Sequence, residues 1–153
     1  MEGVQLGIAP EHPSFRYDQP VVLRIAIKNV REEEIYVRTG LYFSMYRFDV
    51  RLPNGKPAPL TLEGARLKNI AENYGSGGLD KLESGATFDS GMMLDRYYDM
   101  TLIGEYTVTI YHIRSYDKAA QKWVEVPSNT AKVIVRHHTA EELEEREQQE
   151  TNE

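Results

Sequence analysis

Histidine is the residue type here best suited to metal ligation, and the chain has it at positions 12, 112, 137 and 138. His137 and His138 are adjacent, so on a strand their side chains point to opposite faces and cannot easily share one metal ion. His112 continues the inward face of its predicted strand, which favours a hydrogen-bonded residue at the core boundary. The chain has no cysteine and no His-x-x-x-His spacing. We therefore predict no metal site.

Nucleophilic catalysis needs a nucleophile with a base beside it. None of the seven serines lies in a Gly-x-Ser-x-Gly motif. The run Gly75-Ser76-Gly77-Gly78 lacks the preceding strand and following helix of a nucleophile elbow, and it lacks the lysine of a phosphate-binding loop. The sequence thus predicts no catalytic residue, no cofactor and no enzymatic activity.

Three carboxylates, Asp89, Asp95 and Asp99, lie close together in the sequence near a predicted turn. Carboxylate oxygens are the ligands that calcium prefers, but the Asp-x-Asp-x-Asp-Gly pattern is absent. Aspartate also caps helices and stabilises turns through its own backbone. We interpret these residues as turn and cap residues.

The glycine-rich segment is a better candidate for binding than for chemistry. The connection over residues 64–78 is longer than the usual 4–6 or so residues, and long connections are often functional. The candidate binding residues are Asn73, Tyr74, Gly75, Ser76, Gly77, Gly78 and Leu79.

Aromatic residues offer an alternative, because rings on a sheet face can stack on sugars. The chain has ten tyrosines and one tryptophan. On an antiparallel sheet, however, tyrosine is also an ordinary strand residue whose hydroxyl reaches the rim. Carbohydrate binding stays open as the second hypothesis.

The net charge of −6 is confined to one end of the chain. Residues 139–153 contain seven glutamates and one arginine, and the remaining residues are neutral overall. A neutral body offers no electrostatic footprint for a phosphate backbone, so we predict no nucleic-acid binding.

The hydropathy of the chain and its first residues indicate where in the cell the protein could be. No stretch approaches the roughly 18 consecutive apolar residues of a membrane span, so we expect a soluble protein without membrane insertion. The start, Met1-Glu2-Gly3-Val4, has no basic region followed by an apolar core. Because a removed signal peptide would leave the same start, periplasmic, secreted and cytoplasmic locations all stay open.

The elements that would position any site are strands. Residues 20–30 alternate apolar Val21, Leu23, Ile25 and Ile27 with largely polar neighbours, which is the period of a strand. Seven strands are predicted in all, over residues 4–8, 20–30, 34–38, 41–52, 104–114, 123–127 and 131–137. Short strands at this spacing predict an all-β immunoglobulin-like antiparallel sandwich.

The most specific local feature is Gly104-Glu105-Tyr106. In immunoglobulin-type sandwiches a tyrosine near the start of the penultimate strand bonds through its hydroxyl to backbone a few residues upstream. Tyr106 likewise lies near the start of its predicted strand, over residues 104–114, and Gly104 permits the sharp turn before it. We predict such a tyrosine corner.

Several short segments of the sequence resemble those of known bacterial domains. The chain resembles bacterial intracellular proteinase-inhibitor domains in four phrases: Lys28-Asn29, the strand 46–50 running into Pro53-Asn54-Gly55-Lys56, Leu82-Glu83-Ser84-Gly85, and Gly104 to Val108. Uncharacterised bacterial immunoglobulin-like proteins have phrases similar to Tyr98-Asp99-Met100 and Ser128-Asn129-Thr130. The resemblance implies the fold over residues 20–136 and an inhibitor activity. The glycine-rich segment also resembles a loop of small sandwich inhibitors of cysteine proteases, whose Asn-Pro-Thr-Thr-Gly and Arg-Pro-Trp companions are missing here.

Two regions complete the organisation. Leu62 to Asn73 fits either a short helix or an irregular crossover. Thr139-Ala140-Glu141-Glu142 has the capping-box form, yet Leu143 is the only large apolar residue after it, so a disordered or frayed-helical acidic tail is predicted. We expect a domain over residues 1–138 and a tail over 139–153. Function is predicted to be protein–protein interaction through loops at one end of the domain, with proteinase inhibition or carbohydrate binding as alternatives.

Overall fold

A computed structural model of the chain describes residues 4–38, 42–74, 79–117 and 122–152. Within these ranges the fold is mostly β, with largely antiparallel sheets and four helices. The strands are β1 (Val4–Pro10), β2 (Phe15–Arg16), β3 (Val22–Asn29), β4 (Ile35–Arg38), β5 (Tyr46–Arg51), β6 (Leu79–Leu82), β7 (Thr87–Met93), β8 (Gly104–Asp117), β9 (Lys122–Pro127) and β10 (Ala131–Arg136). The helices are α1 (Tyr42–Met45), α2 (Leu62–Tyr74), α3 (Leu94–Tyr97) and α4 (Ala140–Asn152).

One sheet contains β1, β3 and β7 in that order, all antiparallel. Its alternation follows the sequence: Leu23 and Ile25 in β3 are at most 1% exposed, whereas Arg24 between them faces solvent. The period of two therefore sets which face of this sheet is buried.

A second sheet has the order β2-β10-β8-β5, and β9 also pairs with β8. β2 and β10 are parallel, and the other pairs are antiparallel. The two sheets meet at Asn129, whose side-chain oxygen accepts from Ile8 N at 2.8 Å and whose Nδ2 donates to Ile8 O at 2.9 Å. This amide takes the place of a strand partner at the outer edge of β1.

A small two-stranded sheet, β4 with β6, joins the first sheet through a buried asparagine. Asn29 is 0% exposed, and its Nδ2 donates to Leu82 O at 3.0 Å and to Glu33 O at 2.9 Å. Its Oδ1 accepts from Arg31 N at 2.9 Å. The Lys28-Asn29 phrase is thus a structural junction between three segments.

Both sheets contribute inward residues to one hydrophobic core. Phe48 is half-buried at this core, and ten residues of the predicted strands are buried in it: Val21, Leu23, Ile25, Ile27, Val50, Tyr106, Val108, Ile110, Val133 and Val135. The predicted corner is confirmed, because the Tyr106 hydroxyl donates to Leu102 O at 2.7 Å. Gly104 has φ +140°, and a Cβ there would lie 2.8 Å from Pro53 Cγ, so the position requires glycine.

All seven predicted strands are present, although α1 occupies the start of the segment predicted over residues 41–52. Three strands were not predicted: β2, β6 and β7. β2 has two residues and β6 has four, too few for a clear alternation. In β7 the inward side carries Ser90 between Phe88 and Met92, which blurs the pattern.

The region left open between helix and crossover is a helix, α2. Thr61 caps its start, since Thr61 Oγ1 accepts from Gly64 N at 3.0 Å and donates to Arg96 O at 2.6 Å. Gly64 allows close packing on α3, because a Cβ at this position would lie 2.1 Å from Tyr97 O. Helices α1, α2 and α3 contact one another, and we call them the helical cap.

The C-terminal residues form α4, so the disordered version of the predicted tail is wrong over the described residues. The predicted capping box is confirmed: Thr139 N donates to a Glu142 carboxylate oxygen at 2.9 Å, and Glu142 N donates to Thr139 Oγ1 at 3.2 Å. Leu143 is 46% exposed. Throughout the described ranges, no helix combines the length and the apolar character needed to cross a membrane.

Candidate functional site

The predicted binding segment begins at the end of α2. Asn73 is exposed in the last turn, where its Nδ2 donates to the backbone oxygen of Asn69. Tyr74 is the last residue of α2, and Leu79 begins β6, where it pairs with Arg38. Gly75, Ser76, Gly77 and Gly78 lie outside the described residues. The structure therefore places the segment between a helix and a strand, both of which fix its ends.

The outward side of α2 is a continuous exposed stripe. Leu62, Arg66, Asn69 and Asn73 follow one another at intervals of three or four residues, so they share one face of the helix, and all four are exposed. Leu62 is 90% exposed. This stripe, which we call the α2 face, leads directly into the predicted binding segment.

The two helices that contact α2, which are α1 and α3, are joined by aromatic rings. Phe43 packs edge-on against Phe48 at 5.4 Å between centroids and against Tyr97 at 5.8 Å. The hydroxyl of Tyr42 donates to Gly91 O in β7 at 2.7 Å. These contacts join α1 to both sheets and to α3.

The phenols beneath the cap are not poised as bases. Burial raises the pKa of Tyr46 well above its ordinary value, and burial together with the Asp49 charge raises that of Tyr98 to about 12. The Tyr46 hydroxyl is buried and has no hydrogen-bond partner among the described residues. Both side chains are neutral at physiological pH.

The tyrosines do not form a row on an open sheet face within the described side chains. Tyr111 lies on the outer side of the second sheet, but Arg47 Cζ stands 3.9 Å above its ring centroid. Arg47 in turn donates to both carboxylate oxygens of Glu125, at 3.2 and 3.0 Å. The exposed side of this ring is therefore covered, and the sugar-binding hypothesis gains no support from it.

We had predicted that His112 lies at the core boundary, but it is fully buried. It is 0% exposed and pairs across strands with Tyr46, with 5.7 Å between ring centroids. Desolvation lowers its pKa from 6.5 to about 4. A neutral imidazole in the core is a structural residue and not a solvent-accessible base.

Of the three aspartates, Asp99 forms the turn bond that the sequence predicted, whereas Asp95 does not cap its helix. Asp95 Oδ1 accepts from Val21 N at 2.9 Å, a long-range bond that ties α3 to the residue before β3. Asp99 Oδ1 accepts from Thr101 N at 3.0 Å and Oγ1 at 2.7 Å, and these bonds lower its pKa. Asp89 instead lies exposed in the middle of β7. Among the described residues, no group of three or more His, Cys, Asp or Glu residues is arranged to hold a metal ion.

A charged cluster that the sequence did not suggest lies at the start of α4. Arg16 of β2 and Arg136 of β10 are register partners in the parallel pair. Both donate to Glu142 of α4, Arg136 Nη1 at 2.6 Å and Arg16 Nη1 at 3.3 Å. Pairing between strands far apart in the chain brings these arginines together, so no local motif indicates them.

No protein-family model matches the chain, and no curated protein matches it. Among solved structures it is similar to the Pseudomonas fluorescens alkylpurine DNA glycosylase AlkC bound to DNA containing an abasic site analog. The sequences are 11% identical, the TM-score is 0.44, and the match covers 88% of this chain. The chain spans 30% of the length of that glycosylase chain.

This finding contradicts three predictions from the sequence. The solved structure is that of a DNA glycosylase bound to DNA and not of an immunoglobulin-like proteinase inhibitor, whereas we had predicted neither catalysis nor nucleic-acid binding. Both exclusions depended on missing local motifs and on an overall neutral body, which are insufficient grounds because sites are assembled from residues distant in sequence. We withdraw the three predictions. At this TM-score and identity, the likeness does not assign the glycosylase's activity or its ligand to this chain.

Proposed function

We propose that this chain is a binding module whose partner is a protein, and that the partner contacts the α2 face and the segment that follows it. The observation that carries the proposal is the exposure of the whole stripe Leu62, Arg66, Asn69 and Asn73 on a helix that contacts α1 and α3. Rigid scaffolds that present an exposed connection are a common arrangement for recognition.

The support of α2 favours recognition over a simple connecting role. A crossover needs only to span two strands, whereas this one contains a helix of 13 residues with a threonine cap and a glycine contact to α3. Each of these features fixes the orientation of the helix. A preorganised surface loses little conformational entropy when it binds.

The chemistry of the α2 face suits a protein surface of mixed polarity. Arg66 pairs with Glu63 at 3.0 Å and Lys68 with Glu72 at 3.9 Å, so these charges along the helix are balanced. Apart from Arg66, the α2 face consists of Leu62 and the amide side chains of Asn69 and Asn73. A leucine beside hydrogen-bonding groups matches the apolar centre and polar rim of typical protein interfaces.

We further infer that the two larger sheets pack as an immunoglobulin-like sandwich. This inference is supported by the sheet orders β1-β3-β7 and β2-β10-β8-β5, by the shared core and by the bond from Tyr106 to Leu102. In such a sandwich, α2 belongs to the crossover at one edge between the sheets.

Site-specific photo-crosslinking tests the proposed interface. A benzoylphenylalanine at Asn69 should crosslink a distinct protein in cells of the native source. The same group at Lys132, which is exposed on the second sheet, is the matched control and should not. With the partner purified, Leu62→Asp should weaken binding at least about tenfold, as expected for an interface anchor. Equal crosslinking from both positions, or full affinity of Leu62→Asp, would show that the α2 face is not the interface.

A further inference from the structure

The cluster at the start of α4 has the form of an occupied anion site. Arg136 holds the Glu142 carboxylate with two nitrogens, Nη1 at 2.6 Å and Nη2 at 3.4 Å, and Arg16 adds a third donor at 3.3 Å. Arg136 Nε donates to Ser14 Oγ at 3.0 Å, which orients the guanidinium. Two guanidinium groups around one carboxylate form a geometry that binds phosphate equally well.

The carboxylate that fills this site belongs to a helix with little other anchorage. Every residue of α4 whose side chain is described is exposed except Glu142, including Leu143. Among the described residues, the other ion pair from α4 to the body joins Arg146 to Asp18 at 3.7 Å, with both side chains well exposed. Since exposed ion pairs contribute little, the docking of α4 on the body depends mainly on Glu142, which acts as a ligand on a tether.

The site has donor capacity that Glu142 does not use. Arg16 Nε is buried, lies 3.8 Å from Asp18 and has no hydrogen-bond partner among the described residues. Buried polar atoms without partners are rare in proteins, and a bound ion is one of their explanations.

We propose that Arg16 and Arg136 form a binding site for an oxyanion, a phosphate or carboxylate group, and that Glu142 blocks this site from within the chain. An external oxyanion competes with Glu142 for the two guanidinium groups. Its binding releases the first turn of α4 from the body, so occupancy of the site and docking of the helix are mutually exclusive. The site lies on β2 and β10 and is independent of the α2 face.

Removing the internal competitor tests the proposal. Calorimetric titration with inorganic phosphate, against sodium chloride of equal ionic strength, should give a Kd at least about tenfold lower for Glu142→Ala than for the unmodified chain, because a tethered competitor has a high effective concentration. Glu145→Ala removes the same charge from an exposed position of α4 and should leave the Kd unchanged. A parallel titration with acetate shows whether the site prefers phosphate or carboxylate.

The arginines provide the second arm. Adding Arg136→Gln to Glu142→Ala should abolish the gained affinity, and Arg16→Gln serves the same purpose if the first double variant does not fold, as judged by circular dichroism. The proposal is overturned if Glu142→Ala binds phosphate and acetate no better than the unmodified chain. It is equally overturned if the folded double variant binds as tightly as Glu142→Ala alone.

Discussion

Acid should destabilise this protein through His112 before its carboxylates titrate. The imidazole is fully buried against Tyr46, and burial lowers its pKa from 6.5 to about 4. As pH falls below 6.5, His112 in the unfolded chain takes up a proton, whereas in the folded chain it stays neutral until about pH 4. The unfolded state then binds more protons, so stability is complete above pH 6.5 and is lost progressively between 6.5 and about 4.

The magnitude follows from the same two values. One pH unit corresponds to about 1.4 kcal/mol, so the full effect is roughly 3 kcal/mol. Between about pH 7 and about pH 5 the free energy of unfolding should fall by about 2 kcal/mol, which is a large part of a typical total of roughly 5–15 kcal/mol. Glutamates titrate around an ordinary value of 4.5, so most of this window precedes them.

Urea unfolding at a series of pH values measures the effect. His112→Gln, which does not titrate, should be less stable than the unmodified chain at neutral pH but should lose little further stability down to about pH 5. His137→Gln, a substitution of an exposed histidine, is the control and should retain the full pH dependence. A flat stability profile for the unmodified chain, or an unchanged slope in His112→Gln, would refute the reasoning.

Four further changes test the fold. Tyr106→Phe should cost about 1–3 kcal/mol by leaving the buried acceptor of its 2.7 Å bond unpaired, and an unchanged urea midpoint would contradict this. Ile25→Ala should cost roughly 2–5 kcal/mol, measured in the same way, because Ile25 is 1% exposed in the core. Gly64→Ala should cost about 1–3 kcal/mol by pushing α2 away from the Tyr97 carbonyl, and full stability would show that the helix can shift freely. Deleting residues 139–153 should lower Tm by at most a few degrees, because surface ion pairs contribute little. This difference in Tm should vanish in about 1 M salt, which screens those ion pairs. A difference that persists in salt would mean that α4 packs through apolar contacts.

The strands were predictable because their information is local. Alternation in β3 and β8 needs only neighbouring residues, and the inward face it indicates is the buried face of the structure. An Asn-Gly pair such as Asn54-Gly55 is typical of a tight turn, and Gly55 has φ +84° there. Tyr106 was recognisable because its acceptor lies four residues upstream in the chain.

The helical cap was less predictable because tertiary contacts decide it. Residues 42–45 are mostly aromatic and apolar, which favours a strand, yet they form α1 because Tyr42 and Phe43 find partners in β7 and α3. The same holds for β7, whose inward Ser90 breaks the alternation that a sequence pattern needs. In α1 and β7, packing between distant segments of the chain stabilises a structure that the local residue types alone do not indicate.

Candidate sites were the least predictable, and the cluster around Glu142 shows why. Neither Arg16 nor Arg136 stands in a motif, and two residues of β2 are too few to reveal a strand. Only the parallel pairing of β2 with β10 sets the two guanidinium groups side by side, and only the capping box at Thr139 turns Glu142 toward them. The capping glutamate was visible in the sequence as a local helix signal. In the structure the same carboxylate also binds Arg16 and Arg136 of the body. Glu142 therefore caps its own helix and at the same time occupies a site formed by residues that are distant in the sequence.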